Sequence, residues 1–166
     1  TIIPGFIDAH FHLKNYGKRL DMLNVKGINS LDEVVKMIKN KLNGLGKNEW
    51  LIGYGWDQNL WEQQDFPAAN ILNTLAPENP IYLTRVDGHS AWVNKAAIHK
   101  TKVSIDTISN IDGGSMINEC VVIDNSMDFF RKILPSDSKE HIKSWIKIAI
   151  KEIVNKGITG VHDAWQ

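Results

Sequence analysis

The stretch "PGFIDAHFHL", Pro4 to Leu13, is an apolar run that ends in two histidines separated by one residue. In an extended strand, side chains two residues apart share a face, so Asp8, His10 and His12 project to one side. Two neutral imidazoles on a stiff strand can bind one divalent cation. A chain with 6 histidines in 166 residues contains about 0.2 such pairs by chance, so the spacing alone leaves a metal role and a structural role equally open.

Length and composition are typical of one soluble globular domain. The chain has 166 residues, 43% of them hydrophobic and 23% charged, and its formal net charge is zero. We therefore expect no nucleic-acid partner, since no basic patch is present, and no membrane partner, since no apolar run approaches about 20 residues. The single cysteine, Cys120, fits a reducing compartment and predicts a cytoplasmic protein. A start at Thr1, directly on an apolar strand, predicts a piece of a longer protein.

Strand and helix patterns alternate along the chain, which predicts the α/β class. Two helices carry capping boxes, one from Ser30 to Leu42 and one after Pro135 that begins with Asp137 and Glu140. Shorter helices are predicted from Pro67 to Leu75 and from Ser90 to Ile98. After the first strand, further strands are predicted at Trp50–Trp56, Ile81–Val86, Cys120–Asp124 and Ile158–Trp165.

Five stretches together resemble a known family. The first strand is similar to the opening barrel strand of the amidohydrolase superfamily, which ends in His-x-His. Three of the other four narrow the resemblance to the YtcJ-like amidohydrolases (amidohydrolase family 3), and the last is similar to the second core strand of that family. These four are "WLIGYGWDQNLW" from Trp50, "PIYLTRVDGHSAWVNKAAI" from Pro80, "VVIDNSMD" from Val121 and "GITGVHDAW" from Gly157.

The resemblance implies part of a (β/α)8 TIM barrel. Residues 1–14 would form the first barrel strand, residues 15–156 a long α/β insertion and residues 157–166 the next barrel strand. A complete barrel needs about 200 to 250 residues, so the chain is expected to be a fragment of a catalytic domain. Such a fragment would expose apolar surface and unpaired strand edges, which predicts self-association, with a homo-oligomer as one form.

The resemblance also implies a reaction. His10 and His12 would bind a divalent metal, zinc, whose activated water hydrolyses a non-peptide, amide-like C–N bond of a small molecule. The catalytic aspartate and the remaining ligands are expected beyond Gln166, so the fragment is expected to be inactive alone. Asp8 is expected either to orient a histidine ring or to pair elsewhere.

Two further stretches supply candidate substrate-binding residues. Asp87, His89 and Asn94 follow a predicted strand at its junction with a helix, where pocket residues are common. Trp56 and Asp57 belong to an aromatic and acidic loop that could line a pocket. Each has a structural alternative: Asp87 could only make the turn, His89 could cap the next helix, and Trp56 could belong to the core.

Two other functions remain open at this point. One is a non-catalytic α/β module that binds no metal. The other is a fragment of a TatD- or PHP-like phosphoesterase, since these enzymes also begin with an apolar strand and His-x-His. The stretches "VDGHSAWVN" and "GWDQNLW" have no counterpart in those phosphoesterases and favour the amidohydrolase.

Overall fold

A computed structural model describes residues 3–164 of the chain. Its helices and strands, in chain order, are β1 (Phe6–Phe11), α1 (Leu13–Asp21), β2 (Leu23–Asn24), α2 (Leu31–Leu42), β3 (Leu51–Trp56), α3 (Ala69–Leu75), β4 (Ile81–Arg85), β5 (Ser90–Val93), α4 (Lys95–Thr101), α5 (Ile105–Ser109), β6 (Gly114–Ile117), β7 (Val121–Asp124), α6 (Asp128–Arg131), α7 (Lys139–Asn155) and β8 (Ile158–Asp163). Within residues 3–164, no helix combines the length and the apolar character that a membrane crossing requires.

The chain divides into two compact units. The first combines Thr1–Met22 with Ser136–Gln166, and the second is Leu23–Pro135. Helices α1 and α7 therefore belong with the strand pair β1–β8, whereas the sequence assigned residues 15–156 to one insertion.

The first unit is a parallel pair of strands, β1 and β8, with the packed helices α1 and α7. The helices approach closely at Gly17, where an added Cβ would lie 2.0 Å from the carbonyl oxygen of Trp145. Next to this crossing, the indole Nε1–H of Trp145 donates to the carboxylate of Asp21 at 3.0 Å. The ammonium of Lys18 lies 5.1 Å from the centroid of the Trp145 ring.

Helix α7 begins one residue later than its sequence predicts. Its N-cap is Ser138, whose hydroxyl accepts from the backbone N–H of His141 at 3.1 Å. The predicted cap, Asp137, instead forms ion pairs with Lys18 and Lys14. Burial raises the pKa of Asp137, but its hydrogen bonds to these lysines and their charges outweigh burial, so that the pKa lies below its usual value.

The second unit contains a six-stranded mixed sheet in the order β2–β3–β4–β5–β7–β6. The first three strands are parallel, and each later pairing is antiparallel. Successive residues of β4 belong to different apolar clusters, with Leu83 in one and Tyr82 in the other. The sheet is therefore covered on both faces, which explains why its strands are apolar runs rather than alternating patterns.

The helix predicted at Ser90–Ile98 is wrong in its first half. Ser90–Val93 is strand β5, which pairs with β4 and β7, and the helix begins only at Lys95. Gly88, with φ +79°, lies in a tight turn, and its backbone N–H donates to the carbonyl of Arg85 at 3.0 Å. Because this turn folds the chain directly back on β4, pairing between strands overrides the local helical pattern.

Candidate functional site

The two histidines of the first strand lie together. His10 is the penultimate residue of β1, and His12 is the N-cap residue of α1. Their ring centroids are 5.1 Å apart, with an angle of 83° between the ring planes. Two imidazoles that share one tetrahedral zinc ion, with Zn–N bonds of about 2.0–2.1 Å, have centroids about 5 Å apart. The pair therefore fits one shared ion.

Two carboxylates fix the backbone that carries these rings. The carboxylate of Asp8 accepts a hydrogen bond from the backbone N–H of His10 at 3.0 Å, so it holds the backbone of His10. Asp163 accepts from the backbone N–H of Leu13 at 2.9 Å. The N–H of Ala164 donates to the carbonyl of Phe11 at 2.7 Å. The chain around the histidine pair is thus held to the end of β8.

The pair does not form a complete catalytic ligand set among the described residues. Within residues 3–164, no group of three or more His, Cys, Asp or Glu side chains is placed to hold a metal ion. Catalytic zinc sites normally use three protein ligands and keep a fourth position for water. His10 and His12 could therefore supply two of the three.

Arg85 forms a polar cluster in the second unit, where β4 ends. Its Nε–H donates to the side chain of Gln58 at 2.9 Å, and one terminal nitrogen donates to Asp57 at 3.1 Å. The other terminal nitrogen pairs with Asp87. The guanidinium lies 5.9 Å from the centroid of Trp56, and its side chain is 14% exposed. Asp57 and Asp87, both predicted to bind substrate, are thus joined through one arginine.

His89 is held beside this cluster and is widely exposed. Its Nδ1 lies 3.0 Å from a carboxylate oxygen of Asp124, and the side chain is 76% exposed. Its backbone N–H donates to Asp87 at 3.0 Å, and its carbonyl accepts from the backbone N–H of Asp124 at 2.9 Å. The structure therefore brings His89 and Asp87 together. His89 does not cap the next helix, because Asn94 does.

Two of the predicted substrate residues take structural roles. Trp56 is fully buried, stacks with Trp61, and donates its indole N–H to the carbonyl of Leu83 at 2.7 Å. Asn94 is 1% exposed, and its amide donates twice and accepts twice, which is its full capacity. Its partners are the carbonyls of Ala76 and Asn79 and the backbone N–H groups of Ile81 and Ala97. Contact of either residue with a substrate stays a prediction.

Cys120 has no catalytic role available to it. Its thiol is buried and donates to the carbonyl of Pro67 at 3.1 Å. Burial raises its pKa to about 12, so the thiol stays protonated at neutral pH and is not a nucleophile.

Comparison with known proteins identifies the family. The sequence model of the amidohydrolase family matches residues 1–166. The chain belongs to this amidohydrolase family. It is 32% identical over 168 aligned residues to the predicted amidohydrolase YtcJ of Bacillus subtilis and 27% identical over 168 to the protein LONG AFTER FAR-RED 3 of Arabidopsis thaliana. Each alignment covers 98% of this chain, but the chain spans only 32% and 28% of the lengths of these two relatives.

A third relative and two solved structures add to the comparison. An N-substituted formamide deformylase of Arthrobacter pascens is 28% identical over 109 residues, which are 64% of this amidohydrolase chain and 20% of the relative. The fold is similar to an uncharacterised metal-dependent hydrolase of Pyrococcus horikoshii OT3, with a TM-score of 0.68 and 23% identity over 95% of this chain and 30% of the other. An uncharacterised metal-dependent hydrolase of Pyrococcus furiosus has a TM-score of 0.67 and 25% sequence identity. That match covers 95% of this chain and 31% of the other. The α/β fold with a mixed sheet is therefore that of metal-dependent hydrolases.

Four residues of these sites were not predicted to act there: Gln58, Arg85, Asp124 and Asp163. Asp163 lies near the end of the strand predicted at Ile158–Trp165, and a polar residue near a strand end was the available signal. Arg85 and Asp124 gave no local signal, because their partners lie up to 35 residues away in the chain.

Proposed function

We propose that this chain is part of a metal-dependent amidohydrolase that hydrolyses the amide-like C–N bond of a small molecule, with His10 and His12 as two ligands of a divalent metal. The observation that carries the proposal is the pairing of the two imidazoles, 5.1 Å apart at the end of β1, in a member of the amidohydrolase family. The alternative of a module without metal offers no reason for this arrangement.

The proposed fold of the whole catalytic domain is a (β/α)8 barrel. Consecutive strands of such a barrel are parallel and are followed by helices on the outside. The parallel pair β1–β8, packed with α1 and α7, supports their assignment as the first two barrel strands. Residues 23–135 would then be an insertion between them, and the remaining ligands and the catalytic aspartate would come from later strands.

The residues of this chain would hold and orient the ion. A bound zinc ion lowers the pKa of its water to about 7 and polarises a carbonyl oxygen, which is the chemistry that amide hydrolysis needs. His10 and His12 would act as neutral imidazoles. Asp8 and Asp163 would keep the two rings side by side by bonding the backbone at His10 and Leu13.

The relative named as an N-substituted formamide deformylase suggests the first substrates to test. N-substituted formamides contain a small acyl group and a C–N bond outside a peptide, as the proposed reaction requires. His89, with its exposed ring beside Asp87, stays a prediction as a substrate contact. The cytoplasmic location and a homo-oligomeric state also stay predictions.

The test compares the metal content of the full-length protein and its variants. We expect His10→Ala and His12→Ala each to lose most of the bound metal and at least 100-fold in hydrolysis of N-substituted formamides, since a catalytic ion needs about three protein ligands. His99→Ala is the matched control, because His99 is exposed on α4 in the second unit.

Equal metal content in the parent protein and the two histidine variants would refute the proposal and favour a module without metal. Hydrolysis of bis(4-nitrophenyl) phosphate in preference to formamides would favour the phosphoesterase alternative.

A further inference from the structure

His89 and Asp124 form a pair in the second unit that the proposed metal chemistry does not use. The ring is bonded at Nδ1, 3.0 Å from the Asp124 carboxylate, while 76% of the histidine side chain is exposed. An ionised carboxylate can only accept hydrogen bonds, so Nδ1 carries the hydrogen. In the neutral ring, Nε2 then has a free lone pair and faces solvent.

The backbone around Asp124 is held in an uncommon conformation. Asp124 has φ +47° and ψ −116°, a region that non-glycine residues rarely occupy and that is concentrated at functional sites. The next residue, Asn125, donates from its side chain to the carbonyl of Asp112 at 2.8 Å and from its backbone to that of Gly113 at 3.1 Å. The buried Ser126 hydroxyl donates to the carbonyl of Ile108 at 2.6 Å. These bonds fix the position from which Asp124 reaches the ring.

We propose that Asp124 is a positioning residue that fixes His89 in the tautomer with hydrogen on Nδ1, so that Nε2 accepts a hydrogen bond from an N–H group of the ligand. His89 is immobilised at three points: Asp124 binds its ring and its carbonyl, and Asp87 binds its backbone N–H. Two of these bonds hold the backbone of His89, and the third orients its ring.

The surrounding charges favour a ligand that donates hydrogen bonds. The three guanidinium nitrogens of Arg85 each donate to a side chain of the cluster, so the charge of this arginine is already paired. Asp57, Asp87 and Asp124 carry three formal negative charges against the single charge of Arg85. The site therefore suits an amine or amide N–H rather than a carboxylate. This identification of the ligand depends on the proposed function, since hydrolysis of an amide releases an amine.

The first experiment reads the tautomer by 15N NMR of the full-length protein labelled at histidine, with the His89 signals assigned from His89→Gln. At a pH high enough for the ring to be neutral, the wild type should show hydrogen on Nδ1 and a bare Nε2. Asp124→Asn removes the charge but keeps the size and shape of the side chain, so the variant should fold; because an amide can donate or accept a hydrogen bond, it should give a mixture of tautomers. Asp128→Asn is the control. The side chain of Asp128 is 51% exposed, close to the 50% of Asp124, but it pairs with Arg131 and not with His89.

Hydrogen on Nε2 in the wild-type protein, or an unchanged tautomer ratio in Asp124→Asn, would overturn the positioning role. The wild-type measurement decides this even if the variant does not fold. Neither NMR measurement depends on metal content or hydrolysis. The positioning role of Asp124 can therefore be refuted while the proposed function holds, and the reverse is also true.

The second experiment tests the ligand with two probes of equal size and opposite charge. Titration with n-butylammonium should shift the Nε2 signal of His89 saturably, with an affinity about tenfold lower in Asp124→Asn, the factor expected for one hydrogen bond. n-Butyrate should leave the signal unchanged. A shift with butyrate and none with butylammonium would refute the assigned ligand class.

Discussion

Asp163 accepts a hydrogen bond from the backbone N–H of Leu13, 150 residues earlier in the chain, at a distance of 2.9 Å. Leu13 is the first residue of α1, so its N–H has no partner inside the helix. One carboxylate at the end of β8 therefore both caps α1 and fixes the residue that follows His12. We expect the arrangement of the histidine pair to depend on this contact.

Replacement of Asp163 by alanine should weaken both the fold and the metal site. We expect a loss of about 1 kcal/mol in the free energy of unfolding, which is typical of a lost cap, and a loss of about tenfold or more in metal affinity, as for other residues that orient ligands. Denaturant titration and competition with a chelator measure the two effects in the full-length protein. Asp65→Ala, at an exposed position, should change neither. Unchanged metal affinity in Asp163→Ala would show that the cap does not order the pair.

Asn94 is predicted to matter for stability rather than for catalysis. Asn94→Ala would leave two carbonyls and two backbone N–H groups near it without partners, at a cost of about 3–4 kcal/mol. Thermal unfolding of the full-length protein should show a clearly lower midpoint temperature for the unfolding of the second unit. Asn70→Ala, at an exposed position of α3, should have almost no effect. A stable Asn94→Ala protein with a raised KM would instead restore the substrate role.

The ion pairs of Asp137 predict a pH dependence of stability. Its pKa is lower in the folded chain than its ordinary value of 3.8, so the contribution is present above that value and is lost as the pH falls through the folded pKa. Because the three side chains are 24–37% exposed, we expect only about 0.5–1 kcal/mol at neutral pH. Asp137→Asn should therefore be less stable than the parent at pH 7, and the difference should shrink as the pH falls below 3.8 and vanish once Asp137 is protonated in the folded chain.

The measurement is denaturant unfolding from pH 7 to pH 2.5, with the same substitution repeated in a Lys14→Gln, Lys18→Gln background. Without the two lysines, Asp137→Asn should have no effect at any pH. A difference between parent and Asp137→Asn that grows as the pH falls would contradict the assigned cause.

Local signals in the sequence identify much of the fold. The capping box at Ser30 and the helical spacing that follows predict α2, and the observed helix runs from Leu31 to Leu42 with the Ser30 hydroxyl as its cap. Such features depend on residues three or four apart, so one sequence is enough to find them. The cap of α7 was placed one residue early because Asp137 and Ser138 are both good caps locally. The choice is decided by Lys18, which lies 119 residues away.

The rest could not be found locally. Strand β5 was assigned to a helix because its partner strands, β4 and β7, determine its conformation. The cluster of Asp57 and Asp87 around Arg85 likewise exists only after β3 and β4 have paired. The His10-x-His12 spacing identified the pair of rings because both side chains lie on one short segment. Asp124, which bonds the ring of His89, and Asp163, which bonds the backbone of Leu13, were missed because they come from distant strands.

The buried, protonated thiol of Cys120 gives this chain a practical advantage, since it is the only cysteine in the sequence. A maleimide dye or nitroxide added to the folded chain would leave that sulfur unmodified. Cysteines introduced at exposed positions of each unit would then accept probes selectively. Distances between the two units could be measured in solution without first removing the native residue.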